Sequence, residues 1–238
     1  MIKLLDILLE GLADVVTLEP KSKYEVLDLV NKHYLKTFPA VAQAIYGVMY
    51  QGNLIGAIIY GQTTKPEENK DIATDDSGEP IVKKNEIFEL LRLYLVPEAK
   101  ANPELRNLAS FVISRGNKMV KSQFPQLKVI VTRADSGVGH SGTIYQATNA
   151  LYLGLSKDRM RFADKATGKF LYKNYQLKKY GFDTSAEARQ DIASNPDSPL
   201  EFKKMSGKHY YMYIVDDRAK KTILANLNKS VQPYPKIK

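Results

Sequence analysis

Cysteine is absent from this 238-residue chain, and histidine occurs only three times. Without cysteine there can be no disulfide framework, no thiolate metal site and no thiol nucleophile. Zinc-finger readings are excluded with them, and any metal ion would have to use His, Asp, Glu or Tyr. Long hydrophobic runs are also missing. The apolar stretch 54–60 is far too short to cross a bilayer. The opening apolar run is broken by Asp6 and Glu10, which does not suit a secretory segment. The expected location is therefore the cytoplasm, with no membrane partner. Internal repeats and low-complexity tracts are lacking too. The glycine-rich stretch at 137–142 is not followed by Gly-Lys-Ser or Gly-Lys-Thr, so it is not a P-loop.

What is present suits one large domain with an appendage. Hydrophobic residues make up 44% of the chain, enough for a real core at this length. The net charge is +9 and the isoelectric point is near 9.4. Such a surplus favours polyanionic partners through counterion release, or else marks an indifferent basic surface. Ser22 followed by Glu25 predicts a capped helix running to about residue 33. Residues 44–50 and 54–61 read as strands joined by a tight turn at Gln51-Gly52-Asn53. The polar stretch 62–85 reads as a long loop, mobile or functional. A strand is expected over 87–96, and a helix opened by Asn102-Pro103 runs to about residue 122. A strand at 127–133, a helix carrying Ile144, Ala147 and Leu151, another strand starting at Tyr152 and Leu153, a short helix near 187–193 and a strand at 209–215 complete the pattern. The last dozen residues read as a loosely held tail. A hairpin followed by β-α-β-α-β implies a mixed sheet with helices on its faces. The expected division is a core over 1–160 and a Lys- and Tyr-rich part over 161–238 that completes the sheet.

The densest candidate chemistry lies between Arg133 and Ala147. Ligands of α/β sheets sit where a strand ends and a helix begins. Asp135 and His140 fall there among three glycines that let backbone approach a ligand. An ordinary strand–helix connection, with Asp135 capping a turn, explains the same residues. Tyr145, one turn further, is either a general acid toward a leaving group or an aromatic packed on the sheet. Glu89 and Arg92 lie on opposite faces of one strand. Each needs an ion-pair partner or a ligand. Asn107 and Ser110 could bond a phosphate or their own helix. His33, Asp135 and His140 are a candidate metal set, and lone structural histidines are its alternative. Lys173, Lys178, Lys179, Tyr180 and Lys208 combine cations with aromatic faces. That composition suits a nucleic-acid platform or a solvated strand edge.

Taken in order, His33-Tyr34, Gly56, Gly61, Glu89, Arg92-Leu93, Asn107, Ser110, Ala134-Asp135 and Gly154 resemble the Mom family of phage proteins and its GNAT-like relatives. The run Gly139-His140 with Gly142-Thr143-Ile144-Tyr145-Gln146-Ala147 is the most specific piece. The resemblance spans about residues 15–155. It implies an α/β (α+β) fold of GNAT-like type, with a mixed, mostly antiparallel central sheet flanked by helices. It also implies an acyltransferase-type enzyme that converts adenine in double-stranded DNA to a carbamoylmethyl (acetamido) form on the exocyclic amine, protecting DNA from host restriction. By the same resemblance Arg92, Ser110, Asp135 and Tyr145 would line the donor and catalytic pocket. His33 and Tyr60 would border it, with Asn107 beside the donor and iron as a candidate metal. One departure stands out: the glycine-rich pyrophosphate loop of ordinary GNAT enzymes is replaced by Val96-Pro97-Glu98-Ala99-Lys100-Ala101-Asn102. The donor is then acetyl-CoA held in another way, or a different activated species such as an aminoacyl carrier. The rival expectations are a GNAT N-acyltransferase acting on a protein or small-molecule amine, and a non-catalytic nucleic-acid binder. A homodimer is a further expectation.

Overall fold

Runs rich in Ile, Val and Tyr become strands because branched and aromatic side chains fit a pleated, half-buried surface. In the computed structural model, which describes residues 11–33, 37–63, 65, 67–171 and 174–236, nine strands form. They are β1 (Val16–Pro20), β2 (Ala42–Tyr50), β3 (Asn53–Gln62), β4 (Ile87–Leu95), β5 (Val129–Asp135), β6 (Leu151–Leu155), β7 (Arg159–Asp164), β8 (Leu200–Met205) and β9 (Lys208–Ile214). Seven make one sheet in the order β1-β2-β3-β4-β5-β9-β6, while β7 and β8 pair separately. The pairs β1·β2, β2·β3 and β3·β4 are antiparallel, and β4·β5 is parallel. The sheet is thus mixed and mostly antiparallel, as expected.

The β2–β3 turn forms where the sequence places it. Gln51 and Gly52 both have positive φ, 49° and 77°, and Tyr50 faces Asn53 across the ladder. Two consecutive positive-φ residues match the right-handed twist of the flanking strands.

The helices that accompany the strands include α1 (Lys23–Asn31), α2 (Glu68–Ile72), α3 (Pro97–Ala101), α4 (Leu108–Gln123), α5 (Thr143–Ala147), α6 (Ser185–Ser194) and α7 (Asp217–Ala225). The capping box at α1 is present: the Glu25 amide donates to Ser22 Oγ, and the Ser22 amide donates to the Glu25 carboxylate. The long helix differs from expectation. Asn102-Pro103 opens only a 3-10 turn at Pro103–Leu105, and α4 begins at Leu108. Asn107 sits between them at φ 67°. A left-handed residue cannot continue a right-handed helix, and Asn is among the few side chains that tolerate it. Likewise α5 ends at Ala147, Asn149 turns left-handed at φ 58°, and Leu151 opens β6 rather than extending the helix.

Within the polar stretch, residues 67–85 are more ordered than their composition suggests. They carry α2 and two isolated bridges, Ala73 to Leu227 and Thr74 to Pro80. The tail is held as well: the Gln232 amide donates to Tyr152 O, and the Tyr234 hydroxyl donates to Ala150 O.

Period-2 alternation divides the core between the two faces of the sheet. Ile130, Tyr211 and Tyr213 join one cluster with Val112 and Ile113 of α4. Val129, Val131, Tyr210 and Met212 join the other with Ile72 and Ile223. Central strands buried on both faces explain why β5 reads as a continuous apolar run. Each fully buried Ile, Leu or Val contributes about 1.5–3 kcal/mol relative to exposure. No helix among the described residues is long and apolar enough to cross a membrane.

Asp216 ties α7 to the end of α4. Its carboxylate accepts from the Arg218 and Ala219 amides and from Lys121 Nζ at 2.8 Å. The Lys121 hydrogen bond, helped by those amides, holds its carboxyl below the usual range against the opposing effect of burial. A depressed folded-state pKa stabilises above the unfolded value near 4, and that contribution is lost as pH falls through the folded value. Asp216→Ala is expected to cost about 2 kcal/mol at neutral pH. Urea titrations at pH 7 and at decreasing pH check this: the gap between variant and wild type should shrink in acid, and a pH-independent gap would refute the assignment.

Two compact units emerge. The first holds 1–134, 142–154 and 210–238; the second holds 135–141 and 155–209. Within the second, β7 and β8 pair antiparallel, with Phe162 opposite Phe202. The 3-10 segment Asn174–Tyr180 and α6 belong to the same unit. Its own small core gathers Leu171, Leu177, Ala188 and Leu200. Neither the β7·β8 pair nor this core is legible in the sequence pattern.

Candidate functional site

The apolar run of β5 ends in Arg133, Ala134 and Asp135, and each meets a different environment. Asp135 caps a 3-10 turn, Ser136–Val138, by accepting from the Gly137 amide at 2.9 Å. Its other carboxylate oxygen lies 3.6 Å from Lys208 Nζ. The His140 amide donates to the Asp135 carbonyl, while the His140 side chain is exposed. The turn is fastened by Ser136 Oγ, which donates to Gly207 O. Asp135 is therefore a partly exposed, fixed carboxylate beside a cation, and Lys208, expected among DNA contacts, is its ion-pair partner.

Tyr145 follows Gly142 at the start of α5. Gly142 has φ 79°, and a Cβ there would lie 2.4 Å from the Tyr211 ring, so only glycine lets α5 approach β9. The Tyr145 ring is half-buried, with its centroid 5.4 Å from that of Tyr211. Gln146 Nε2 donates to the Tyr211 hydroxyl, and Thr148 Oγ1 shares a hydrogen bond with the Tyr213 hydroxyl at 2.6 Å. Burial raises the phenol pKa of both Tyr211 and Tyr213, so both stay neutral donors. Tyr145 is thus set on a rigid aromatic wall. Alternation within Tyr210-Tyr211-Met212-Tyr213 is the signal that could have revealed that wall.

Arg133 turns into the opposite face of the sheet. Its guanidinium pairs with Glu68, and with Glu89 at 2.7 Å. The Tyr210 hydroxyl also donates to Glu68, and the Arg133 guanidinium lies 5.2 Å from the centre of the Tyr210 ring. Burial works against the guanidinium charge, but Glu89 and Glu68 outweigh it and raise the Arg133 pKa. Burial together with Glu68 raises the Tyr210 phenol far above its usual range. Glu89 is therefore one half of a structural ion pair. Glu68, which lies in the stretch that reads as loop, completes the cluster.

Arg92 lies opposite Ile59 across the β3–β4 ladder. Its guanidinium donates to Leu91 O at 2.6 Å and to Thr37 O at 3.4 Å. His33 is half-buried just beyond α1, its amide bonded to Val30 O. Tyr34 lies outside the described residues. Tyr60 is fully buried, and its hydroxyl donates to Asn117 Oδ1 at 2.9 Å. Burial raises its pKa well above the usual phenol. Ser110 is buried in the first turn of α4, and Asn107 is exposed at its N-cap without a side-chain cap bond.

Lys178 and Lys179 are exposed on the 3-10 segment, Lys178 lying 3.8 Å from Asp183. The Tyr180 hydroxyl donates to Asp164 at 2.7 Å. Lys173 lies outside the described residues. Among the described residues no group of three or more His, Asp or Glu side chains could hold a metal ion. The expected set of His33, Asp135 and His140 does not assemble as one, so these residues do not fit an iron site and no chemical step is derived through iron.

The sequence pattern of the Mom protein family matches residues 17–236. The methylcarbamoylase mom of Escherichia phage Mu is 24% identical over 208 residues, covering 87% of this chain and 77% of its own. Among solved structures, a spermidine N-acetyltransferase from Vibrio cholerae aligns over 84% of this chain and 96% of its own, with a TM-score of 0.45 at 10% identity. An N-acetyltransferase from Staphylococcus aureus Mu50 aligns over 84% and 99%, with a TM-score of 0.44 at 12% identity. The family match runs from β1 to the residues packed beside β6, so this chain belongs to the Mom protein family.

Proposed function

We propose that the protein is a phage-type DNA modification enzyme of the acyltransferase class, working in the host cytoplasm. It converts adenine in double-stranded DNA to its carbamoylmethyl derivative on the exocyclic amine. The observation that carries this reading is the family match over nearly the whole chain, together with the methylcarbamoylase relative. The basic composition agrees with a polyanionic substrate. A base inside a duplex is out of reach of protein side chains, so the target adenine would be flipped out of the stack.

In this reading Asp135 orients the neutral adenine amine and accepts the proton it loses when the new nitrogen–carbon bond forms. Lys208 Nζ lies 3.6 Å from that carboxylate. Tyr145 donates a hydrogen bond or a proton to the departing carrier, and its seat on Tyr211 restricts its motion. Arg92, Ser110, Asn107 and His33 are assigned to the donor side, while Tyr60, fully buried and bonded to Asn117, supports the core behind it. The donor in this reading is a carrier-bound species that already holds the two carbons and the nitrogen of the carbamoylmethyl group, such as an aminoacyl carrier. The acetyl group of acetyl-CoA has no nitrogen to give.

Mass analysis of nucleosides from cells expressing the protein tests the reading. A heavier adenosine with the mass of the carbamoylmethyl group is the expected result. Unmodified adenosine alongside an acylated protein or small amine would establish the N-acyltransferase alternative instead.

A further inference from the structure

The second unit carries a concentration of charge that the roles assigned so far do not use. An open groove of about 330 Å³ lies against β7 and β8, and its walls include Arg159, Arg161 and Arg189 with Phe162, Phe202 and Asn174. Among the described residues no carboxylate lines it. Arg159 and Arg189 are exposed, and among the described residues neither is ion-paired. The contrast with Arg133, buried between two carboxylates, is direct. Arg159 and Arg189 thus bring two guanidiniums without an ion-pair partner among the described residues to one groove, which favours an anionic occupant.

The apolar part of the groove is similarly unspent. Phe162 and Phe202 stack with centroids 4.8 Å apart, and the Arg189 guanidinium lies 6.0 Å from the centre of the Phe202 ring. Phe202 is 36% exposed, and neighbouring Met160 is 59% exposed. The charge continues across the ladder, where Lys203 pairs with Arg161 and Lys204 with Met160. Lys204 is partly neutralised by Asp158 at 2.8 Å.

The pattern selects its occupant. Arg159 and Arg161 are two residues apart on a strand, so their Cα atoms are about 6.6 Å apart. That is about two axial steps of roughly 3.4 Å along one DNA strand, the axial separation of every second phosphate. The planar guanidinium fork matches phosphate oxygens two at a time. A row of cations along an extended strand suits a running backbone better than a single compact anion.

We propose that this arginine-lined groove binds the sugar–phosphate backbone of double-stranded DNA. The inference rests on the DNA-modification reading and adds to it the surface that grips the duplex.

The test uses the full-length protein and a fluorescein-labelled duplex, with binding followed by anisotropy across a salt series. For Arg159→Ala/Arg189→Ala, loss of two phosphate contacts should lower the slope of log K against log salt by about 1.8. It should also weaken binding by ~10-fold or more near physiological salt. Unchanged thermal melting of the double variant shows that it still folds. An unchanged slope and affinity, in a protein whose wild type modifies adenine in cells, would overturn the groove while leaving the enzymatic reading intact. A reduced slope in a protein that leaves adenine unmodified would keep the groove and remove that reading. A wild type that neither binds duplex nor modifies it would end both.

Discussion

Arg133→Met is expected to destabilise the protein by ~3–5 kcal/mol, because it leaves two carboxylates facing apolar surroundings without their common cation. Glu68 is 1% exposed, and Glu89 and Tyr210 are close by. A loss of this size is a large share of the ~5–15 kcal/mol that holds a typical domain together. Urea denaturation provides the number, and the direction should differ between single and paired changes. Arg133→Met with Glu68→Gln removes one of the stranded charges, so the double variant should recover part of the loss. A shortfall equal to the sum of the two single losses would mean that the residues do not act as one network.

Asp135→Asn is expected to reduce adenine modification by ~10²–10⁴-fold, the range for removing a positioned proton acceptor. The substitution is nearly isosteric, and the amide oxygen can still accept from the Gly137 amide as Asp135 does now. The turn and the stability of the protein should therefore be retained while the negative charge beside Lys208 is lost. The fraction of heavier adenosine, measured in DNA from cells expressing equal amounts of each protein, reports the effect. Modification at the wild-type level would remove Asp135 from the chemistry and leave it as a cap. Because Asp135→Ala also removes that cap, it should lose stability as well as activity, and the comparison separates the two roles.

Local features were well marked along the chain. Ser22 with Glu25, the Gln51-Gly52 turn and the tyrosine-rich β9 could be placed because each depends on neighbours a few residues away. The long helix was misplaced by several residues, because Asn107 adopts a left-handed conformation that composition does not announce. Glu68 was hidden in a polar stretch, since its partners Arg133 and Tyr210 are 65 and 142 residues away. The metal set of His33, Asp135 and His140 shows the reverse error: three suitable residue types do not assemble among the described residues.

The sequence by itself determined the class of the protein. It did so through the family resemblance carried above all by the motif from Gly139 to Ala147; the absence of cysteine, the excess of lysine and arginine and the strand–helix order only agreed with it. Tertiary structure alone decided which charges are spent and which are available. Arg133 is consumed within a buried cluster, whereas Arg159 and Arg189 face an open groove. The physical reason is that ion pairing and desolvation depend on distances set by packing between remote segments, and residue order does not encode those distances directly.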